Sequence, residues 1–120
     1  MSITDILDEA LDQVESALLV GIISTDGLGV EMLLASDDLP FAEEDAEIEL
    51  SGLTAAAANV AGRLGVGSVY DLMVETEDMT YLASQIIPGY YAVLGVFPDG
   101  NLGRARFAIR QMVGRLQTEL

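Results

Sequence analysis

The sequence predicts a single α+β domain in which three helices and five strands follow one another in the order αββαβββα. Three observations lead to this prediction. Apolar residues recur at helical spacing near both ends and in the middle of the chain, five short runs have the composition of strands, and turn residues separate them. A length of 120 residues is usual for one domain, so we expect 1–120 to fold as one unit.

The first helix is predicted to begin with a capping box and to be followed by two strands. Ser2 and Asp5 have the spacing at which a hydroxyl and a carboxylate each accept a hydrogen bond from a free amide at the helix start. Apolar residues then repeat on one side of the helix: Ile3, Ile6, Leu7, Ala10, Leu11 and Val14. The strands are expected at 18–23 and 30–35, with the turn sequence Thr-Asp-Gly at 25–27 between them.

A longer helix is predicted over 46–64, after an acidic segment at 36–47 that we interpret as a solvated loop. Gly65 and Gly67 are suited to end it. Its expected core stripe consists of Leu50, Leu53, Ala57, Val60, Ala61 and Leu64. The opposite side carries mostly very small side chains, at Gly52, Ala55, Ala56, Asn59 and Gly62.

These small residues are the most informative local feature of the sequence. Small side chains let another backbone approach closely, and two-fold symmetry makes such a surface complementary to itself. The alternative is an exposed alanine-rich face that favours the helical conformation. Because a glycine inside a helix costs about 0.5–1 kcal/mol, helix propensity does not account for Gly52 and Gly62. We therefore favour a homodimer interface on this helix.

Three strands and a helix are predicted in the remaining part of the chain. The strands are expected at 69–76, 80–87 and 90–97, and the sequence Pro-Asp-Gly-Asn at 98–101 then stops the last strand and starts the helix. The helix is expected to bury Leu102, Ala105, Ile109, Met112, Val113 and Leu116. Strand 69–76 is a candidate sheet edge, and two interpretations stay open: Asp71 and Glu75 block pairing, or Val69 and Met73 meet a second copy.

The charge of the chain excludes several kinds of partner. Twenty acids and five bases give a net charge of −15, and the first 50 residues hold 14 of the acids and no base. Nucleic acids and anionic membranes both require a basic surface, so we expect neither as a partner. No apolar run reaches the ~18 residues that a membrane-spanning helix needs. Without cysteine, nothing requires an oxidising compartment, and we expect a cytoplasmic protein.

The residue types that most enzymes and metal sites use are missing. The chain has no histidine, cysteine or lysine, which removes the commonest general base, the thiolate nucleophile, Schiff-base chemistry and ordinary zinc sites. Calcium is the remaining candidate metal, but 37–47 lacks the ligand spacing of a calcium loop. The glycines at 62–67 and 100–103 lack the context of a phosphate-binding loop. We expect no enzyme, no cofactor and no metal; a carboxylate-based enzyme is the least favoured alternative.

The five arginines prompt two further predictions. Arg106 and Arg110 of the last helix are expected to meet acids of the first helix, which are Asp8, Asp12 and Glu15. Arg63 is the only base before residue 104, which suggests an arginine finger for a GTPase. The favoured interpretation is a cation placed at a helix C-terminus, where the helix dipole stabilises it. Phe107 lies off the core stripe and is a candidate partner contact.

Three segments of the chain resemble the roadblock family of dynein light chains. They are Gly-Ile-Ile-Ser-Thr-Asp-Gly-Leu at 21–28, Val-Glu-Thr-Glu-Asp at 74–78 and Asn-Leu-Gly-Arg-Ala-Arg at 101–106, and their order along the chain matches the family. The resemblance implies a five-stranded antiparallel sheet with the middle helix on one face and the terminal helices on the other. It also implies dimerisation through the middle helix and the third strand, which would place Val69, Asp71 and Met73 at the junction.

The resemblance also implies a function. Bacterial and archaeal roadblock proteins commonly bind Ras-like small GTPases or stimulate their GTP hydrolysis, and other members are adaptors. The leading hypothesis is therefore a homodimeric scaffold that regulates a Ras-like small GTPase through the paired middle helices. Arg63 is included in that surface. The alternative is a sensory domain of profilin-like shape that holds a small ligand, which requires a concave apolar pocket.

Overall fold

A computed structural model of the protein describes residues 2–27, 30–98 and 101–120, and its elements follow the predicted order. Leu28, Asp99 and Gly100, which belong to the predicted turn and restart motifs, lie outside the described residues. The elements are α1 (Ile3–Gln13), β1 (Ala17–Ser24), β2 (Glu31–Leu34), α2 (Glu43–Leu64), β3 (Asp71–Glu75), β4 (Thr80–Ile87), β5 (Tyr90–Val96) and α3 (Leu102–Leu116).

The five strands form one antiparallel sheet in the order β2-β1-β5-β4-β3. The central strand β5 pairs with both β1 and β4, so every β5 residue after Tyr90 is buried. β2 and β3 are the two edges of the sheet. Because β3 has one neighbour within the chain, one row of its backbone amides and carbonyls points away from the sheet.

The helices cover the sheet from both sides and enclose two apolar clusters. α1 and α3 pack on one face, where Leu7 and Leu116 meet sheet residues such as Val20 and Leu94. α2 packs on the other face through a smaller cluster that includes Ala46, with Leu19, Met32, Tyr81 and Val93 from the sheet. This arrangement confirms the fold that the resemblance implies: one helix on one face and the two terminal helices on the other.

The two terminal helices have the predicted starts. The Ser2 hydroxyl accepts a hydrogen bond from the Asp5 amide at 3.1 Å, and the Asp5 carboxylate accepts one from the Ser2 amide at 3.3 Å. The Asn101 side chain caps α3 by accepting a hydrogen bond from the Arg104 amide at 3.1 Å. Each cap satisfies an amide that has no partner inside its helix.

Two boundaries differ from the prediction by more than one residue. α2 begins at Glu43, three residues earlier than expected, so the acids at 43–47 belong to the helix and not to a loop. Negative charges in a first turn are stabilised by the helix dipole, which accounts for this longer start. β3 begins at Asp71, and Val69 lies before it.

Candidate functional site

The inner side of α2 is small and polar, contrary to the predicted leucine-rich stripe. Its buried residues are Ala46, Ser51, Thr54 and Ala61. The Thr54 hydroxyl donates a hydrogen bond to the Leu50 carbonyl at 2.9 Å and lies 3.4 Å from the Tyr81 hydroxyl. Burial raises the pKa of Tyr81 to about 12, while the Thr54 contact lowers it slightly. A threonine that bonds to its own helix can face an apolar sheet without leaving its hydroxyl unpaired.

Several leucines and valines that were predicted to form the core stripe of α2 lie instead on its outer side. Leu53 is 38% exposed, Val60 47% and Leu64 71%, so that part of the prediction is wrong. Leu50 packs against the sheet as predicted, although it is only partly buried. The physical reason is that small side chains on the inner side bring the helix close to the sheet and turn the larger ones outward.

The structure gathers most of the predicted small residues on this same outer side. Gly52, Ala56, Asn59, Gly62 and Arg63 are all exposed, and Ala55 is half-buried. Sequence reasoning missed that larger apolar side chains accompany them. The residues that form the outer surface of α2 are Gly52, Leu53, Ala56, Asn59, Val60, Arg63 and Leu64.

A β-carbon built at Gly52 or Gly62 meets no heavy atom within 4 Å. Nothing within the described part of the chain therefore requires glycine at these two positions. The interface predicted at these two glycines therefore stays a prediction.

The third-strand residues of the predicted interface occupy the edge of the sheet, and each has a contact within the chain. The Val69 carbonyl accepts a hydrogen bond from the Tyr91 hydroxyl at 2.5 Å. The Asp71 carboxylate accepts one from Ser84 at 2.8 Å. Met73 is 41% exposed, and its sulfur lies 3.6 Å from the Arg106 guanidinium. Because neighbouring side chains of a strand alternate, Asp71 and Met73 face α3, whereas Leu72 packs towards α2.

The arginines of α3 do not make the predicted ion pairs. In the described part of the chain, Arg115 pairs with Glu9 at 2.9 Å, whereas Arg106 and Arg110 form no ion pair. The helices α1 and α3 do lie side by side, as the prediction assumed, but a different turn of α3 faces the acids. Phe107 is 61% exposed, as expected from its place off the core stripe.

Acidic residues crowd the start of α2. Partial burial, followed by the neighbouring charges of Glu43 and Glu44, raises the pKa of Glu47. Across residues 2–27, 30–98 and 101–120, no group of three or more acidic, histidine or cysteine side chains is placed to hold a metal ion. Arg63 lies in the last turn of α2, where the helix dipole favours a cation.

A cleft lies beside the start of α2 and holds about 250 Å³. Its walls are apolar, from Leu19, Phe41, Ala46, Leu50 and Met79. Asp45 and Glu49, one helical turn apart, stand at its mouth. The cleft therefore offers a small apolar cavity with a negative rim.

No helix among the described residues has the length and apolar character to cross a membrane. No family profile matches the sequence, and no curated protein matches it. Solved structures do match. The chain aligns over 100% of its length with 100% of MglC from Myxococcus xanthus, at 28% identity and a TM-score of 0.72.

Two further structures share the fold at lower identity. A Roadblock/LC7 domain from Streptomyces avermitilis has a TM-score of 0.80 at 16% identity, with 95% of this chain and 93% of that chain covered. Myxococcus xanthus MglB has a TM-score of 0.83 at 15% identity, with coverages of 97% and 92%. The element order, the placement of the helices on the two faces and these similarities agree. The chain has the roadblock-type fold.

Proposed function

We propose that this chain, folded as one domain over 1–120, is a non-enzymatic homodimeric scaffold that binds a Ras-like small GTPase in the cytoplasm. Its binding either holds the GTPase in an assembly or stimulates GTP hydrolysis. The observation that carries the proposal is the outer surface of α2, where Leu53, Val60 and Leu64 stay exposed around Gly52 and Ala56. Contiguous exposed apolar surface on a soluble domain marks an interaction site.

The composition of this surface favours a second copy as its first partner. A protein with a net charge of −15 repels copies of itself, so association requires a surface where charge is sparse. The middle of α2 is such a surface, because no charged residue lies between Glu49 and Arg63. MglB has been solved with a tetrameric arrangement, which supports association among domains of this fold.

The GTPase as a partner is supported by the resemblance to roadblock proteins and by the likeness to MglC over the whole chain. Roadblock-type folds are those of regulatory and scaffold domains. The acids of the first 50 residues supply a negative field that steers a basic surface of the partner towards α2. The lack of histidine, cysteine and lysine supports a role in binding and not in catalysis.

The alternative of a sensory domain receives less support from the clefts of the molecule. Pockets for small ligands usually hold about 300–1,000 Å³. Within the described residues, the cleft with apolar walls beside Ala46 holds about 250 Å³. Other clefts are larger, at about 310 to 790 Å³, but polar or charged side chains line each of them. A cavity of this size suits one or two side chains of another protein better than a metabolite.

The test combines binding with turnover. Each small GTPase of the source organism is purified, loaded with GDP or a GTP analogue, and titrated with this chain by calorimetry; GTP hydrolysis is then measured with and without it. We expect one GTPase to bind, and the Ala56→Glu variant to lose this binding together with dimerisation. Arg104→Glu, in α3 on the opposite face of the sheet, is the control. The proposal fails if no GTPase binds and a metabolite instead raises the melting temperature.

A further inference from the structure

The end of α2 presents an exposed apolar side chain on a well-defined backbone. The Val66 amide donates to the Ala61 carbonyl and the Gly65 amide to the Gly62 carbonyl, both at 3.1 Å, and Gly65 has φ +70°. These bonds form a Schellman motif, in which the residue at the place of Val66 often packs back onto the last turn. Here the facing residue is the small, buried Ala61, and Val66 stays 72% exposed.

The start of α2 presents the complement of this feature. The cleft beside Ala46 has apolar walls, and the carboxylates of Asp45 and Glu49 stand at its mouth. Arg63 is exposed near the other end of the helix and makes no ion pair within the described residues. One end of the helix thus has an apolar projection beside a positive charge, and the other end has an apolar cavity beside negative charges.

Two-fold symmetry brings such ends together. When a helix packs on its own copy across a two-fold axis perpendicular to both helices, the helices run antiparallel, and residues equally far before and after the axis lie at the same level. With the axis at Ala56, Gly52 lies opposite Val60, each four residues away. Glu49 and Arg63 lie opposite each other at seven residues, which is about two helical turns.

The same register also pairs the two ends. Ala46 and Val66 are each ten residues from Ala56, so Val66, just beyond the end of α2, lies near the level of the cleft of the other copy. A single choice of axis therefore places a large side chain over a glycine, an arginine beside a glutamate and a valine at an apolar cavity. It turns Gly52, Ala56 and Arg63 towards the second copy and puts Asn59 at the margin of the interface, whereas Ala55 and Gly62 point away from it, contrary to the prediction from the sequence.

We propose that the cleft beside Ala46 is the seat of Val66 from a second copy of this chain, with Glu49 and Arg63 paired across the axis at Ala56. The inference rests on the homodimer of the proposed function and specifies its register. The occupant is a second copy because the charges are complementary. Arg63 is the only base before residue 104, and the residue that faces it in this register is Glu49, an acid beside the cleft.

The test is a charge swap between two variants. Arg63→Glu places glutamates opposite each other twice in a homodimer, and Glu49→Arg places arginines opposite each other twice. We expect each variant alone to dimerise about tenfold more weakly than the wild type, or worse. In a heterodimer of the two variants, a glutamate lies opposite an arginine at both positions. We therefore expect an equimolar mixture to form a heterodimer with an affinity within about threefold of the wild type. Sedimentation velocity and native mass spectrometry measure it.

Two further measurements separate the register from other causes. Arg104→Glu and Asp8→Arg make the same charge changes on the opposite face of the sheet, and we expect neither variant, nor their mixture, to alter dimerisation. Val66→Asp should weaken the wild-type dimer about tenfold or more, because it brings a charge into the apolar cleft beside Asp45 and Glu49. Far-ultraviolet circular dichroism checks that each variant is folded.

The outcomes are distinct. If the wild type dimerises but the mixture of Arg63→Glu and Glu49→Arg does not recover a heterodimer, the register is wrong while the dimer of the proposed function stands. If Val66→Asp dimerises as the wild type does, the cleft has another occupant, and the inference is again overturned. If the wild type is monomeric at about 100 μM, both proposals fall.

Discussion

Replacing Gly52 with alanine is expected to stabilise the fold of the single chain but to weaken the dimer. Gly52 lies inside α2, and a β-carbon added there meets no heavy atom within 4 Å. Alanine is about 0.8–1.0 kcal/mol more favourable than glycine in a helix interior. The Gly52→Ala change should therefore stabilise the fold of an isolated chain by about 1 kcal/mol.

In the dimer the same methyl group lies against a second helix. Extra atoms in a packed contact cost about 1–3 kcal/mol, and the change occurs twice in each dimer. We therefore expect the dissociation constant to rise at least tenfold. Monomer stability is measured by urea unfolding in the Ala56→Glu background, with and without Gly52→Ala. Dimerisation is measured by sedimentation velocity in the otherwise wild-type chain.

α3 offers a matched control. Gly114 lies in the last turn of α3, and a β-carbon there also meets no heavy atom within 4 Å. Gly114→Ala should also stabilise the fold, without a change in dimerisation. If Gly52→Ala and Gly114→Ala affect the dissociation constant equally, Gly52 is not at an interface and the reasoning is refuted.

Two further predictions concern the sheet. Gly21→Ala should destabilise the fold by about 1–3 kcal/mol in urea unfolding, because a β-carbon there would lie 2.6 Å from the Glu31 carbonyl oxygen; unchanged stability would contradict this close approach. Burial raises the pKa of Tyr81 to about 12, compared with about 10 in an unfolded chain. The folded state therefore favours the protonated phenol. The stability that this contributes is complete below pH 10 and is lost as the pH rises towards 12. Tyr81→Phe should flatten that part of the urea-midpoint profile, and an unchanged slope would contradict the assignment.

The order of the elements was predictable because local signals agree with one another. The capping box at Ser2 and Asp5 marks the start of α1, and Asn101 marks the start of α3. Gly65, with a positive φ, ends α2 where the sequence predicts. Such signals act within one helical turn or one hairpin, so a single sequence is enough to identify them.

The rotation of α2 on the sheet was not predictable from the periodicity of its apolar residues. Between Glu49 and Arg63, apolar side chains lie on every side of this helix, so the outer positions of Leu53 and Val60 are as apolar as the inner ones. The inner side is set by tertiary contacts, such as that between Thr54 and Tyr81. A helix that is apolar all round is expected to be buried on more than one side, and this signal points to a partner.

The ion pairs of α3 were also beyond the sequence. Arg106, Arg110 and Arg115 are all spaced to face α1 in some rotation of the helix, and only packing decides which one meets an acid. The predicted interface on α2 and at the edge strand could likewise be predicted only in part from the sequence. The sequence identifies its small residues, while the exposed Leu53 and Val60 beside them become visible only once the helix is placed on the sheet.

The claim on which the other proposals depend is that two copies of this chain associate through the outer surface of α2. Sedimentation equilibrium on the wild type and on Ala56→Glu, run side by side from low to high micromolar concentration, tests it most directly. We expect the wild type to reach twice the chain mass of 12.7 kDa and the variant to stay at that mass. A wild type that stays at 12.7 kDa, or a variant that associates as the wild type does, would contradict it.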